Sequence, residues 1–197
     1  MSATLVLLRH GQSEWNKKNI FTGWVDINLS EEGQKEAQKA RDALKDYNFD
    51  IVFTSDLKRA QETARIVLGE KNTQVISNQA LNERRYGQLE GKNKDEVRKE
   101  FGAEQVHIWR RSLHSRPPGG ESLADTYERV IPYFENQIKP WLNKNSTVLI
   151  SAHGNSLRAL VKYLENLSDE ELLSLEIPTG TPIIYKLDAQ GRWCRKN

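Results

Sequence analysis

Apolar runs and their spacing divide the chain into alternating strands and helices. Thr4-Leu5-Val6-Leu7-Leu8 is apolar at consecutive positions after its threonine, the pattern of a strand covered on both faces. Ile51-Val52-Phe53 and Thr147–Ala152 repeat it, Gln74–Ile76 is a weaker version, and Pro182–Leu187 closes the series. Between these runs the period lengthens to that of helices. Ala37, Ala40 and Leu44 share one face of a helix that Ser30 caps, with Glu31 and Glu32 at its positive end. Asp56 is expected to cap a helix reaching Leu68. Ser122 is expected to open a long helix to about Asn136, with Asp125 in the answering position of a capping box. Shorter helices are expected over 93–101, 104–113, Ser156–Leu164 and Ser168–Leu175, and Pro117-Pro118-Gly119-Gly120 reads as a loop. The alternation predicts an α/β three-layer sandwich with a mostly parallel central sheet flanked by helices.

Composition narrows the function classes. A chain of 197 residues suits one domain spanning 1–197, large enough to bury about 70% of its unfolded surface without disulfides or metals. Twenty-nine basic against 27 acidic residues leave a formal charge of +2, so there is no general field to draw nucleic acid or an anionic membrane. Cys194 is the single cysteine and reads as structural. Met1–Leu8 has no basic lead and no small-residue cleavage site, so it does not read as a signal peptide. No apolar run approaches the ~18–20 residues of a membrane span. A cytoplasmic enzyme acting on small molecules is the expectation, as a monomer or homodimer.

The candidate chemistry sits where two strands end. His10-Gly11-Gln12-Ser13 follows the first strand, and His153-Gly154-Asn155-Ser156 follows the strand at 147–152. In open α/β sheets ligands bind beyond the carboxyl ends of strands. A neutral imidazole is a good nucleophile towards phosphorus and a fair leaving group from it. Metal binding is the competing reading, weakened because no third ligand accompanies the pair at metal spacing. Arg9 adjoins His10 and Arg59 follows the second strand. Guanidinium forks match phosphate oxygens, and their charge disfavours protonation of His10. A hydroxyl that gains or loses phosphate must exchange a proton, and Glu83 is the carboxyl chosen for that task among 27 acidic residues. Lys94 and Arg110-Arg111 could neutralise a second anionic group. No glycine-rich nucleotide loop is present.

Leu8-Arg9-His10-Gly11-Gln12-Ser13-Glu14-Trp15-Asn16 closely resembles the phosphohistidine signature of the histidine phosphatase superfamily. Asn19–Asp26, Leu81–Gly87, Gly91–Lys94, Trp109–Ser112 and Ala152–Arg158 together resemble its cofactor-dependent phosphoglycerate mutase family, from about residue 4 to 187. The resemblance implies that His10 is phosphorylated and that Glu83 donates and accepts the proton. It implies that Arg9, Arg59 and His153 hold the transferring group. Asn16, Thr22, Gly23, Tyr86, Lys94, Arg110, Arg111, Gly154 and Asn155 match positions that bind substrate or cofactor. It further implies interconversion of 3- and 2-phosphoglycerate, priming by 2,3-bisphosphoglycerate, and no metal. Two departures stand out. Only Ser112–Gly120 separates Arg111 from Glu121, where many members carry an insertion, and the chain ends soon after Leu187. A less closed site admits water, so some bisphosphatase activity is expected. A superfamily phosphatase is the alternative enzyme, and a basic RNA-binding module is disfavoured because the arginines are dispersed.

Overall fold

The computed structural model describes residues 3–197; Met1 and Ser2, the start of the N-terminal apolar run, lie outside the described residues. Six strands form one sheet in the order β3-β2-β4-β1-β5-β6: β1 Thr4–Arg9, β2 Ile51–Thr54, β3 Val75–Ser77, β4 Thr147–Ala152, β5 Pro182–Leu187 and β6 Trp193–Arg195. The first four run parallel, and β5 and β6 turn the last edge antiparallel. The helices are α1 Glu14–Lys17, α2 Glu31–Ala43, α3 Lys58–Leu68, α4 Lys94–Phe101, α5 Ala103–Arg111, α6 Leu123–Tyr133, α7 Lys139–Leu142, α8 Gly154–Glu165 and α9 Asp169–Ser174. The expected α/β sandwich with a mostly parallel sheet is the observed architecture.

Successive strand residues point to opposite faces, which explains the continuous apolar runs. Leu5, Leu7, Ile51, Phe53, Val148 and Ile150 join one core with Val130, Phe134 and Leu160 from α6 to α8. Val6, Leu8, Val52 and Leu149 join the other with Ala40, Leu44, Ala64 and Val67 from α2 and α3. A third, smaller cluster of Phe21, Leu89, Val97, Val106 and Trp109 seats α4 and α5.

The caps correct several boundaries. Asp56 does not cap α3. Leu57 occupies that position without a side-chain bond, and Asp26, distant in sequence, accepts from Lys58 N at 2.8 Å. Helix α8 starts at Gly154, two residues before the expected Ser156, because Ser156 Oγ accepts from the His153 backbone N–H (3.1 Å) and makes His153 the cap. Ser122 and Asp125 form the full capping box, but the helix ends at Tyr133 and passes through a wider turn, Phe134–Ile138, into α7. That turn keeps Phe134 and Ile138 in the core past Pro132. Strand β3 lies one residue later than expected, and α1 and β6 were not foreseen.

Candidate active site

Backbone pairing brings the two histidine turns together. Strands β1 and β4 are neighbours in register, Arg9 opposite Ala152, and His10 N–H extends the ladder to Ala152 O at 3.0 Å. The imidazoles of His10 and His153 therefore lie with centroids 4.9 Å apart, tilted at 60°. The turn after β1 packs tightly on the first turn of α2. A Cβ on Gly11 would stand 2.1 Å from Gly33 O, so only glycine lets the chain pass this close.

Every residue expected at the site except His153 lines one cavity: Arg9, His10, Asn16, Thr22, Gly23, Arg59, Glu83, Tyr86, Lys94, Arg110, Arg111, Gly154 and Asn155. His153 is fully buried beside His10 and bonded through Nε2 to the Ser55 hydroxyl at 2.6 Å. Six cations line the wall (Arg9, Arg59, Lys94, Arg110, Arg111, Arg158) against two carboxylates, Glu83 and Glu176. The local charge is strongly positive in a chain that is almost neutral overall.

His10 is a prepared nucleophile by geometry and by charge. Its Nδ1 lies 2.6 Å from Gly11 O; a carbonyl can only accept, so Nδ1 carries the proton and Nε2 keeps its lone pair. Burial, then the charges of Arg59 and Arg9, hold the ring well below its ordinary pKa of 6.5, so it is neutral at cellular pH. His153 is lowered in the same direction by burial, Arg59 and His10. Arg59 donates to Val25 O (2.9 Å) and Gly23 O (2.7 Å), which fixes its guanidinium; burial brings it down to about 10, still charged at neutral pH. Arg9 donates to Ile177 O at 2.7 Å and keeps a buried Nε without a partner.

Glu83 is held by one oxygen. Its Oε1 accepts from Arg84 N (2.8 Å) and from Asn155 N (3.1 Å) in the first turn of α8. Its backbone carbonyl accepts from Arg129 and Trp24 Nε1, and Arg129 also binds Ala80 O, Asn82 O and Glu121. The short Ser112–Gly120 link braces the adjoining loop, with Gln88 N donating to Pro118 O at 2.9 Å. Gly87, at φ +58°, would otherwise press a Cβ into Pro118 O.

The other cations form a second group. Burial, then Arg110, lowers Lys94, and burial lowers Arg110. Burial pushes the Tyr86 phenol up, but the charge and hydrogen bond of Arg84 together with the charge of Arg110 leave it below its ordinary value. Arg84 is fully buried under Tyr86 with Nε and Nη1 unpartnered. Arg158 donates to Asn155 Oδ1 and to the carbonyls of Leu172 and Leu173; burial, then Arg111, brings it down to about 10. Of the cavity-lining arginines, Arg9 and Arg158 each keep a buried Nε–H without a partner, as an anionic ligand would use. Among the described residues, no group of three or more potential ligands could hold a metal ion.

Ser55, Arg84, Arg129, Arg158 and Glu176 were missed by sequence reasoning. Arg158 carried a usable signal: three residues after Asn155, it shares that residue's helix face. Arg84 adjoins Glu83 and Tyr86 in sequence, but nothing local marks it as the buried one of the Arg84-Arg85 pair; Ser55, Arg129 and Glu176 meet His153, Glu83 and Arg111 from far along the chain.

Comparison with known proteins places the chain in a family. The model of the histidine phosphatase superfamily (branch 1) matches residues 5–196. A Parvibaculum lavamentivorans protein named 2,3-bisphosphoglycerate-dependent phosphoglycerate mutase is 57% identical, covering 100% of this chain and 96% of the relative. A Schizosaccharomyces pombe protein named phosphoglycerate mutase is 55% identical over 98% of this chain and 93% of its own length. Among solved structures, the alpha-ribazole phosphatase from Shigella flexneri superposes with a TM-score of 0.86 at 26% identity, covering 98% of this chain and 94% of its own.

Proposed function

We propose that this chain, which belongs to the histidine phosphatase superfamily, interconverts 3-phosphoglycerate and 2-phosphoglycerate through phospho-His10 as one catalytic unit of the cytoplasm. The observation that carries the reading is the second cation group, Lys94, Arg110, Arg111 and Arg158, in the same cavity as His10. A phosphatase passing phosphate to water needs a single anion site. A phosphoglycerate has a phosphate at one end and a carboxylate at the other, and two cation groups receive both. 2,3-Bisphosphoglycerate supplies the phosphoryl group that primes His10.

The residues then divide the work. The Nε2 lone pair of His10 bonds to phosphorus, while Arg9, Arg59 and the amide end of α8 neutralise the oxygens of the transferring group. His153 stands against that group from the side. When a substrate hydroxyl takes the phosphoryl group, its oxygen bonds to phosphorus and the P–Nε2 bond breaks. The hydroxyl proton passes to the free oxygen of Glu83. On return of the other phosphoryl group to Nε2, Glu83 gives that proton back to the departing oxygen. Asn16, Thr22, Gly23 and Tyr86 line the space between the two charged ends, and Gly154 and Asn155 bring the α8 amides to it.

The test supplies 3-phosphoglycerate with trace 2,3-bisphosphoglycerate and follows 2-phosphoglycerate and free phosphate together. Rapid isomer formation with slow, measurable phosphate release is expected. Phosphate release without isomerisation overturns the reading in favour of a phosphatase. His10→Ala removes acid-labile phosphate from the protein and both activities; survival of either refutes the covalent route.

A further inference from the structure

One carboxylate in the cavity wall has no part in these steps. Glu176 lies in the link between α9 and β5, beside buried Ile177. The backbone of α9 and that link holds the pocket's arginines: Leu172 O and Leu173 O at the end of α9 accept from Arg158, Leu173 O from Arg111, and Ile177 O in the link from Arg9. Glu176 adds a charge to this rail. Its Oε1 pairs with Arg111 Nη2, and its field also reaches Arg158.

We propose that Glu176 is a competing carboxylate, which occupies Arg111 when no ligand is bound and yields it to the carboxylate of an entering phosphoglycerate. The proposal rests on the phosphoglycerate reading above. Exposure makes the exchange cheap in one direction: the Glu176 side chain is 68% exposed and returns readily to water, whereas that of Arg111 is 28% exposed and needs an anionic partner. Six wall cations without such a competitor would hold a doubly phosphorylated ligand tightly and release it slowly. Glu176 thereby sets the affinity of the second anion site and speeds discharge of ligand, without entering the chemistry.

Glu176→Gln keeps the side chain's size and removes its charge, and its exposure puts folding at no risk. The KM for 3-phosphoglycerate is expected to fall about threefold to tenfold with kcat unchanged or lower, the size of losing one partly exposed ion pair. Calorimetric titration of unphosphorylated enzyme with 3-phosphoglycerate should show the same gain, and added KCl should shrink the difference. Unchanged KM and Kd, or a loss of kcat with both constants unchanged, overturns the proposal. Absence of mutase turnover in both proteins would instead sink the functional reading, while the titration still decides the role of Glu176.

Discussion

The two buried histidines make stability depend on pH in a way that can be worked through. His10 is 3% exposed and His153 is fully buried, and both are held neutral well below the ordinary value of 6.5 by burial and the arginines around them. In the unfolded chain each regains that ordinary value. As pH falls below 6.5, the unfolded state takes up two protons that the folded state refuses, so folding loses free energy. The contribution is full above 6.5 and drains as pH falls towards the lowered folded values. While both rings stay neutral in the fold, going from about pH 7.5 to about pH 5.5 costs about 1.4 kcal/mol per ring, or about 2.7 kcal/mol for the pair. The assay is urea unfolding at both pH values, followed by tryptophan fluorescence, for the parent and for His10→Gln/His153→Gln. His107 and His114 are exposed and common to both proteins, so their contributions cancel. The double variant should lose about 2 to 3 kcal/mol less than the parent over this interval. Equal losses would mean that the rings titrate in the fold as freely as in water, and would refute the account of His10 as a neutral nucleophile at low pH.

Two further outcomes follow from the site. Glu83→Gln keeps an oxygen for Arg84 N and Asn155 N but cannot take a proton, so kcat should drop roughly 10²–10⁴-fold with KM little changed, as measured by steady-state isomerisation. Gly11→Ala would drive a Cβ to 2.1 Å from the Gly33 carbonyl, a backbone atom that cannot swing aside. It should destabilise the fold by about 1–3 kcal/mol in urea unfolding and lower activity by displacing His10; wild-type values for both would show that the turn is slack.

The sequence by itself determined the layers and most of the wall. Doubly covered strands read as unbroken apolar runs, and Ser30, Ser122 and Ser168 announce helix starts through bonds to their own neighbours. These are local properties, written within a few residues of where they act. The signature around His10 and the cation blocks at Lys94 and Arg110-Arg111 were legible for the same reason. Only the tertiary structure decided how those pieces are used. The two His-Gly-amide-Ser turns look alike, yet His10 spends its Nδ1 proton on Gly11 O while His153 caps α8 and shares Nε2 with Ser55. Arg129 reaches Glu83 from 46 positions away, Asp26 caps α3 across 32, and Glu176 meets Arg111 across 65. Burial and long-range pairing set the charge state of both rings and the partners of His153, Glu83 and Arg111. None of these has a local signature, because each depends on which distant groups the sheet order brings into contact.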